Sequence, residues 1–242
     1  MKRAWFLLGL VLTWPLGALA MDADELIAKN IEARGGLDKI RAITALKLTG
    51  KLQTGGFEAT VADLKRPGKV RSEFSIQGMT QVRAFDGEQG WSISPFGGRK
   101  EPQKLSGDDL KDMRIESDLE GPLVDYAKKG HKVEYLGTED IEGTEAHKLR
   151  VVFVTGNEAV YYFDPDHFLE IRVVGKSWYR GSVFEGEADL GDYEQVNGVW
   201  IPFSVASGAK GSTQKSTVTY ERAEANIDLP DALFAFPEGA RP

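Results

Sequence analysis

The chain has 242 residues, a formal net charge of −7 and no cysteine. It can therefore form no disulfide, has no cysteine nucleophile and cannot carry a lipid on an N-terminal cysteine, so a hydrophobic core has to stabilise the fold. The acidic excess makes nucleic acid and anionic membrane surfaces poor partners.

Residues 1–20 have the order of a secretory signal peptide. The Lys2-Arg3 pair precedes an apolar run from Ala4 to Leu12, and Ala18-Leu19-Ala20 has the A-x-A form of a cleavage site. The apolar run is shorter than the roughly 20 residues that cross a bilayer. We therefore expect a periplasmic protein that is not membrane-spanning, forms one domain over residues 21–242 and carries 28 basic against 37 acidic residues, a formal charge of −9.

One helix is predicted next, over residues 23–34. Asp22 and Glu25 have the spacing of a capping box, and Gly35-Gly36 ends the helical pattern. The apolar stripe consists of Ala23, Leu26, Ile27 and Ile31.

From residue 46 onward, apolar and polar residues alternate with a period of two, which is typical of half-buried strands. Leu46, Leu48 and Leu52 share one face, for example. Turn pairs such as Asp86-Gly87 and Asn197-Gly198 separate the runs, which predicts an antiparallel meander. After residue 132 the strands are predicted at 149–154, 160–163, 169–174, 182–190, 199–205 and 217–221.

The alternation stops between Ser106 and Lys129, where Gly121-Pro122 divides two short helical patterns. A sheet of so many strands has to curl. The fold class predicted is mainly β: an unclosed antiparallel β-barrel, with the N-terminal helix and two short inserted helices covering its concave apolar face.

The residues offer little evidence of catalysis, and we expect no enzyme activity, cofactor or metal. His131, His147 and His167 have no metal-ligand spacing, and no G-x-S-x-G or H-E-x-x-H motif is present. Asp164, Asp166 and His167 resemble a metal site superficially, but such a turn usually satisfies its own backbone.

Large aromatic residues are more numerous than a tight core obviously needs. Each one alone fits a core position, whereas together they favour a roomy apolar cavity. The residues are Trp91, Phe96, Trp178, Tyr179, Phe184 and Trp200.

Several short motifs resemble the periplasmic lipoprotein carriers of the Lol type. Leu64-Lys65-Arg66-Pro67-Gly68-Lys69-Val70-Arg71 is followed by Asp86-Gly87, Trp91 and Pro95, and Phe234-Ala235-Phe236-Pro237-Glu238-Gly239 is similar to the family's ending. The blocks 162–166 and 197–203 depart from the short carriers and look more like the broader set of lipoprotein-sorting-like proteins.

The resemblance implies an unclosed β-barrel whose helical lid encloses a cavity for the acyl chains of lipoproteins. It makes Arg66 the lid latch, although an arginine before a Pro-Gly turn also fits an ordinary surface ion pair. It places Trp91 and Pro95 on strands near the cavity. The residues expected to line the cavity and bind an acyl chain are Phe74, Trp91, Phe96, Phe153, Trp178 and Trp200.

The function expected is that of a monomeric periplasmic carrier. It would bind the acyl chains of lipoproteins, or lipid, and transport this cargo towards the outer membrane. Such a carrier would have an inner-membrane donor complex and an outer-membrane acceptor. The alternative is a periplasmic sensor or assembly factor that binds a protein partner with the same fold, for example by strand addition at an open sheet edge.

Overall fold

The computed structural model describes residues 21–179 and 181–237. The predicted signal peptide and Glu238-Gly239 of the family-like ending lie outside the described residues, as does the side chain of Tyr179.

Helix α1 (Ala23–Ala33) agrees with the predicted helix to within one residue. Asp22 caps it, because its Oδ1 accepts a hydrogen bond from the Glu25 amide over 2.8 Å. The helix ends at Ala33, and Gly35 just beyond it has a φ of 122° and packs so closely on the Gly198 carbonyl that a Cβ would clash with it. Helix α2 (Leu37–Ala42) follows and was not predicted; its first turn lacks a side-chain cap.

Within the described residues, thirteen strands form one antiparallel sheet, and the predicted meander is confirmed. Strands β1 to β6 form one meander and β7 to β13 a second, and the two join where β1 pairs with β13. The strands are β1 (Leu46–Thr54), β2 (Phe57–Arg66), β3 (Lys69–Ile76), β4 (Met79–Phe85), β5 (Gly90–Ser94), β6 (Arg99–Lys104), β7 (Lys132–Ile141), β8 (Thr144–Val152), β9 (Glu158–Phe163), β10 (Glu170–Tyr179), β11 (Ser182–Val196), β12 (Val199–Ala209) and β13 (Ser216–Ala225).

The sheet is not closed, since β6 and β7 are its two edges. The chain passes from one edge to the other through residues 105–131, which we call the insertion. It contains helix α3 (Asp108–Glu116), which contacts β3, β4 and β10. The second predicted helix of the insertion is not formed. Residues 122–130 make successive turns instead, and Asp125 in the middle of this stretch has a φ of 52°, which a right-handed helix does not allow.

The two faces of the sheet can be told apart from the strand register. Leu46 and Leu48 lie opposite Lys65 and Asp63 of β2, so these four residues share the inner face, which packs against α2 and the insertion. The intervening Leu64 belongs to the outer face. There it packs with Leu229 and Phe234 of the C-terminal segment (residues 226–237).

The outer face is therefore covered near β1 to β5. The C-terminal segment buries Leu229 and Phe234 completely or nearly so, and contains a short 3-10 turn, Asp231–Leu233. Apolar side chains are thus buried on both faces of the sheet. The sheet is therefore the middle layer, between the helices and insertion on one side and the C-terminal segment on the other.

Candidate ligand-binding cavity

A cavity of about 950 Å³ lies on the inner face of the sheet. This volume is at the upper end of the roughly 300–1,000 Å³ typical of small-molecule sites. Its apolar lining comes from strands of both meanders, from α2 and from the insertion. These residues include Ile40, Ile43, Leu46, Leu48, Val70, Ile115, Leu119, Phe153, Val173, Leu190, Ile201 and Val205.

Different elements form the walls of the cavity. Ile40 and Ile43 of α2 and the adjoining loop close the end at which β1 begins, where they pack against Val199. Ile115 and Leu119 of the insertion contribute to the lining, as the covering role predicted for this segment requires. Towards the other end of β10 to β12 the lining consists of small residues: Gly175, Ser177, Gly186, Ser207 and Gly208.

One polar group of the lining is Asp63 on β2. Its carboxylate accepts hydrogen bonds from Ser72 Oγ over 2.5 Å and from Tyr220 Oη over 2.6 Å. Burial raises the pKa of Tyr220, and the neighbouring carboxylate adds to the effect. Tyr220 is therefore a hydrogen-bond donor in its neutral form, and it fixes the position of Asp63 on the cavity wall.

Two further carboxyls project from α3. Burial raises the pKa of both Asp112 and Glu116, with Arg83 opposing the shift in each case. Asp112 accepts a hydrogen bond from Asn157 Nδ2 over 2.7 Å, and Glu116 Oε1 lies 3.9 Å from Arg83 Nη1. The Glu116 side chain remains 43% accessible because it faces the cavity, although protein surrounds it.

A second polar group combines two tyrosines with Glu170. Tyr193 Oη donates to the Glu170 carbonyl oxygen over 2.7 Å, and burial raises the pKa of Tyr193 and Tyr161. Nearby, Arg34 Nη1 donates to the Glu120 carbonyl oxygen over 3.1 Å, which ties the end of α1 to the insertion. Apolar surface predominates in the cavity, but its lining also includes ten charged residues: Arg34, Asp63, Lys65, Asp112, Glu116, Asp118, Glu158, Glu170, Lys176 and Glu187.

None of the three histidines contributes to the cavity lining. Burial lowers the pKa of His131 and His147, and the ring of His147 stacks on Phe168 with centroids 5.8 Å apart. Asp164 Oδ1 accepts from the amides of Asp166 and His167 over 3.0 and 2.7 Å, as expected of a turn that satisfies its own backbone. Within the part of the chain that the structure describes, no group of three or more His, Asp or Glu side chains is placed to hold a metal ion.

The structure places two of the six predicted lining residues, Phe153 and Trp200, at the cavity. Phe74 and Phe96 contact each other edge to face, with centroids 5.5 Å apart, but lie beyond the residues that line it.

Trp91 and Trp178 have a different place from the one predicted. Trp91 pairs with Ala84 on the outer face, is 2% exposed, and donates from Nε1 to the Phe234 carbonyl oxygen over 2.8 Å. Trp178 alternates with the inner-face residue Ser177, so it too belongs to the outer face, and Lys176 Nζ lies 5.3 Å from its ring centroid. Alternation alone could not assign these tryptophans to the inner or the outer face, because the assignment depends on which strands pair.

Arg66 also differs from its predicted role as a latch on the lid. It alternates with inner-face Lys65 and therefore points outward, where Nη1 donates to the Leu229 carbonyl oxygen over 2.9 Å and to Asp231 Oδ1 over 2.7 Å. Arg66 thus fastens the C-terminal segment. The insertion is joined to the same hairpin by the amide of Gly68, which donates to the Ser117 carbonyl oxygen over 3.2 Å.

Most of the lining was missed because it consists of ordinary strand residues. Leu46, Leu48, Val70 and Val205 have nothing unusual in the sequence except their position on one face of an alternating strand. Starting from Leu46 and following cross-strand partners would have found them, but that requires the pairing of β1 with β13, which joins residues some 170 positions apart.

Comparison with solved structures gives the fold class. A LolA superfamily protein from Nitrosomonas europaea is 13% identical, with a TM-score of 0.59 over 89% of this chain and 98% of that one. An outer membrane lipoprotein-sorting protein domain from Vibrio parahaemolyticus is 13% identical, with a TM-score of 0.56 over 86% and 94%. A DUF1329 family protein from Desulfovibrio piger is 10% identical, with a TM-score of 0.55 over 88% and 96%.

The chain therefore shares the half-barrel fold of these solved proteins, which confirms the fold class expected from the sequence. No family model and no curated protein sequence matches it. Among the described residues, no helix is both long enough and apolar enough to cross a membrane.

Proposed function

We propose that this protein is a periplasmic carrier that shields the acyl chains of a lipoprotein or lipid in the inner-face cavity, on the way to the outer membrane. The observation that carries the proposal is the cavity itself, about 950 Å³, in which apolar surface exceeds polar surface. The carrier fold of the solved neighbours is consistent with it.

The energetics of the cavity suit an acyl chain. Each methylene that leaves water contributes about 0.8 kcal/mol, so about ten buried methylenes contribute roughly 8 kcal/mol before the costs of binding. A net value of about 8 kcal/mol would correspond to a dissociation constant of roughly 1 µM, so a chain with more than about ten buried methylenes is needed to reach that affinity after the costs of binding. Such a ligand needs no covalent step, and an open sheet edge allows it to leave.

The proposal includes processing and partners. The signal peptide would be removed before Met21 and the protein would act as a monomer. It would take its cargo from an inner-membrane donor complex and deliver it to an outer-membrane acceptor.

Binding of a fluorescent fatty acid to the purified protein tests the proposal. We expect saturable 1:1 binding that Val205→Lys abolishes, because a lysine on the inner face places a charge against the buried chain. Leu136→Lys is the matched control, since Leu136 is 40% exposed on β7 and does not line the cavity. Equal binding by both variants, or no saturable binding by the wild type, would refute the proposal.

The second candidate is a sensor or assembly factor that binds a protein partner. The observation that favours it is edge strand β7 (Lys132–Ile141), whose ten residues pair on one side only among the described strands. Unpaired strand edges accept an extended segment of another chain. A stoichiometric protein partner that co-purifies with an otherwise empty cavity would favour this function.

A further inference from the structure

Large apolar side chains are exposed at one end of the sheet. Among the described residues seven such side chains are more than a third exposed, and six of them lie on turns or strand ends at that end. We call these six the hairpin rim: Phe57 (45% exposed), Met79 (41%), Phe96 (41%), Val154 (68%), Val183 (51%) and Phe184 (54%). The seventh, Leu136, is in the middle of β7.

The strand register places the rim residues at the same end of the sheet. Phe57 pairs with Thr54 at the tip of the β1–β2 hairpin, and Met79 pairs with Ile76 at the tip of β3–β4. Because the sheet is antiparallel throughout, every second turn falls at the same end. The turns that follow β5, β8 and β10 therefore lie at the same end of the sheet as these two hairpin tips. The other rim residues are in these turns or directly after them.

The rim lies at the end of the cavity that α2 does not close. Ile40 and Ile43 of α2 line the end where β1 begins. The lining on the rim side includes Ser177, Gly186 and Gly208, which are close to the tips of the β10–β11 and β12–β13 hairpins. Small side chains there leave room for a chain to pass.

The arrangement favours a lipid surface over a protein partner. The rim residues stand at five separate turns, which follow β1, β3, β5, β8 and β10, and not on one continuous element. The Gly55-Gly56 and Gln77-Gly78 turns are uncharged, so the tips that carry Phe57 and Met79 can enter an interface without burying a charge, whereas Arg99 and Lys100 follow the turn that carries Phe96. The acidic chain as a whole would be repelled by anionic lipid, which points to an electrically neutral surface.

We propose that the hairpin rim docks on the surface of a neutral lipid bilayer, with Phe57, Met79 and Phe96 entering the interface, so that the open end of the cavity faces the membrane. The direct use of this docking, passage of an acyl chain between cavity and bilayer, rests on the proposed function. Docking itself needs no bound cargo, and it can be tested without any.

The test is co-sedimentation of the purified mature protein with phosphatidylcholine vesicles. We expect the wild type to bind, with little dependence on salt because the contact is apolar. The triple variant F57S/M79S/F96S should bind at least about a hundredfold more weakly, since each buried apolar side chain contributes about tenfold or more. Leu136→Ser is the matched control and should bind as the wild type does.

Fluorescent fatty acid binding without vesicles separates this inference from the proposed function. The triple variant should keep wild-type affinity for the fatty acid, because none of its three residues lines the cavity. Absence of fatty acid binding by the wild type would refute the carrier function and leave the docking test standing. Docking is refuted if the triple variant sediments like the wild type, if Leu136→Ser loses binding equally, or if the wild type binds only a protein.

Discussion

Replacement of Trp91 by alanine distinguishes the two roles that a strand tryptophan can have in this fold. The indole is 2% exposed and packs against Val82 and Ala84 on the outer face. Its Nε1 donates to the Phe234 carbonyl oxygen, its ring meets Phe236 edge to face with centroids 6.4 Å apart, and the Arg71 guanidinium lies 5.6 Å from the ring centroid. The contacts with Phe234 and Phe236 hold the C-terminal segment on the sheet.

The magnitude follows from these contacts. A buried tryptophan replaced by alanine costs about 3–5 kcal/mol of the free energy of unfolding. For a chain of this size each kcal/mol lowers Tm by roughly 2–4 °C, so Trp91→Ala should lower Tm by about 6–20 °C. The affinity for a fluorescent fatty acid, measured well below the transition, should stay at the wild-type value because Trp91 does not line the cavity.

Trp178→Ala is the control for the size of the side chain. Trp178 is half-buried, and Lys176 Nζ lies 5.3 Å from its ring centroid, so its loss should lower Tm by a few degrees at most. A Trp91→Ala protein with an unchanged Tm and a weakened affinity for the fatty acid would show that the indole faces the cavity and that the assignment of the two faces is incorrect.

Three further predictions concern charges and processing. Because burial raises the pKa of Glu116 above its usual 4.5, ionisation opposes folding at neutral pH. Glu116→Gln should therefore raise Tm at neutral pH, with the gain vanishing well below pH 4.5; an equal gain at every pH would exclude this cause. Arg66→Ala should lower stability by about 1–2 kcal/mol in denaturant unfolding and leave fatty acid binding intact, whereas loss of binding at wild-type stability would restore the lid latch. The exported protein should start at Met21 by intact mass, and retention of residues 1–20 would contradict the signal peptide.

Local sequence patterns were sufficient to predict most of the secondary structure. The strands followed from alternation and turn pairs, and α1 followed from its Asp22 cap and the Gly35-Gly36 stop. Helix α2 was not predicted because it has only six residues and because its N-cap residue is a glycine, which offers no side-chain capping signal in the sequence. The second inserted helix was expected from apolar spacing, but Asp125 within that stretch has a φ of 52°, which interrupts a right-handed helix.

The candidate site depended on contacts that are distant in sequence. The alternation in β5 shows that Trp91 and Ile93 share a face, but only the pairing with Ala84 and Val82 shows that this face is the outer one. The C-terminal segment has no periodicity, so its contact with Arg66 over some 160 residues left no local signal. A residue's chemistry was therefore easier to predict than the direction of its side chain.

Lipid analysis of the protein isolated from the periplasm tests the central claim most directly. Mass spectrometry under native conditions, followed by extraction of the bound material, should find one acyl-bearing molecule per protein chain. Val205→Lys should carry none, while Leu136→Lys should carry the wild-type amount. A wild-type protein that is free of any acyl compound, or that carries equal amounts of it in both variants, would contradict the assignment of the inner-face cavity as the cargo site.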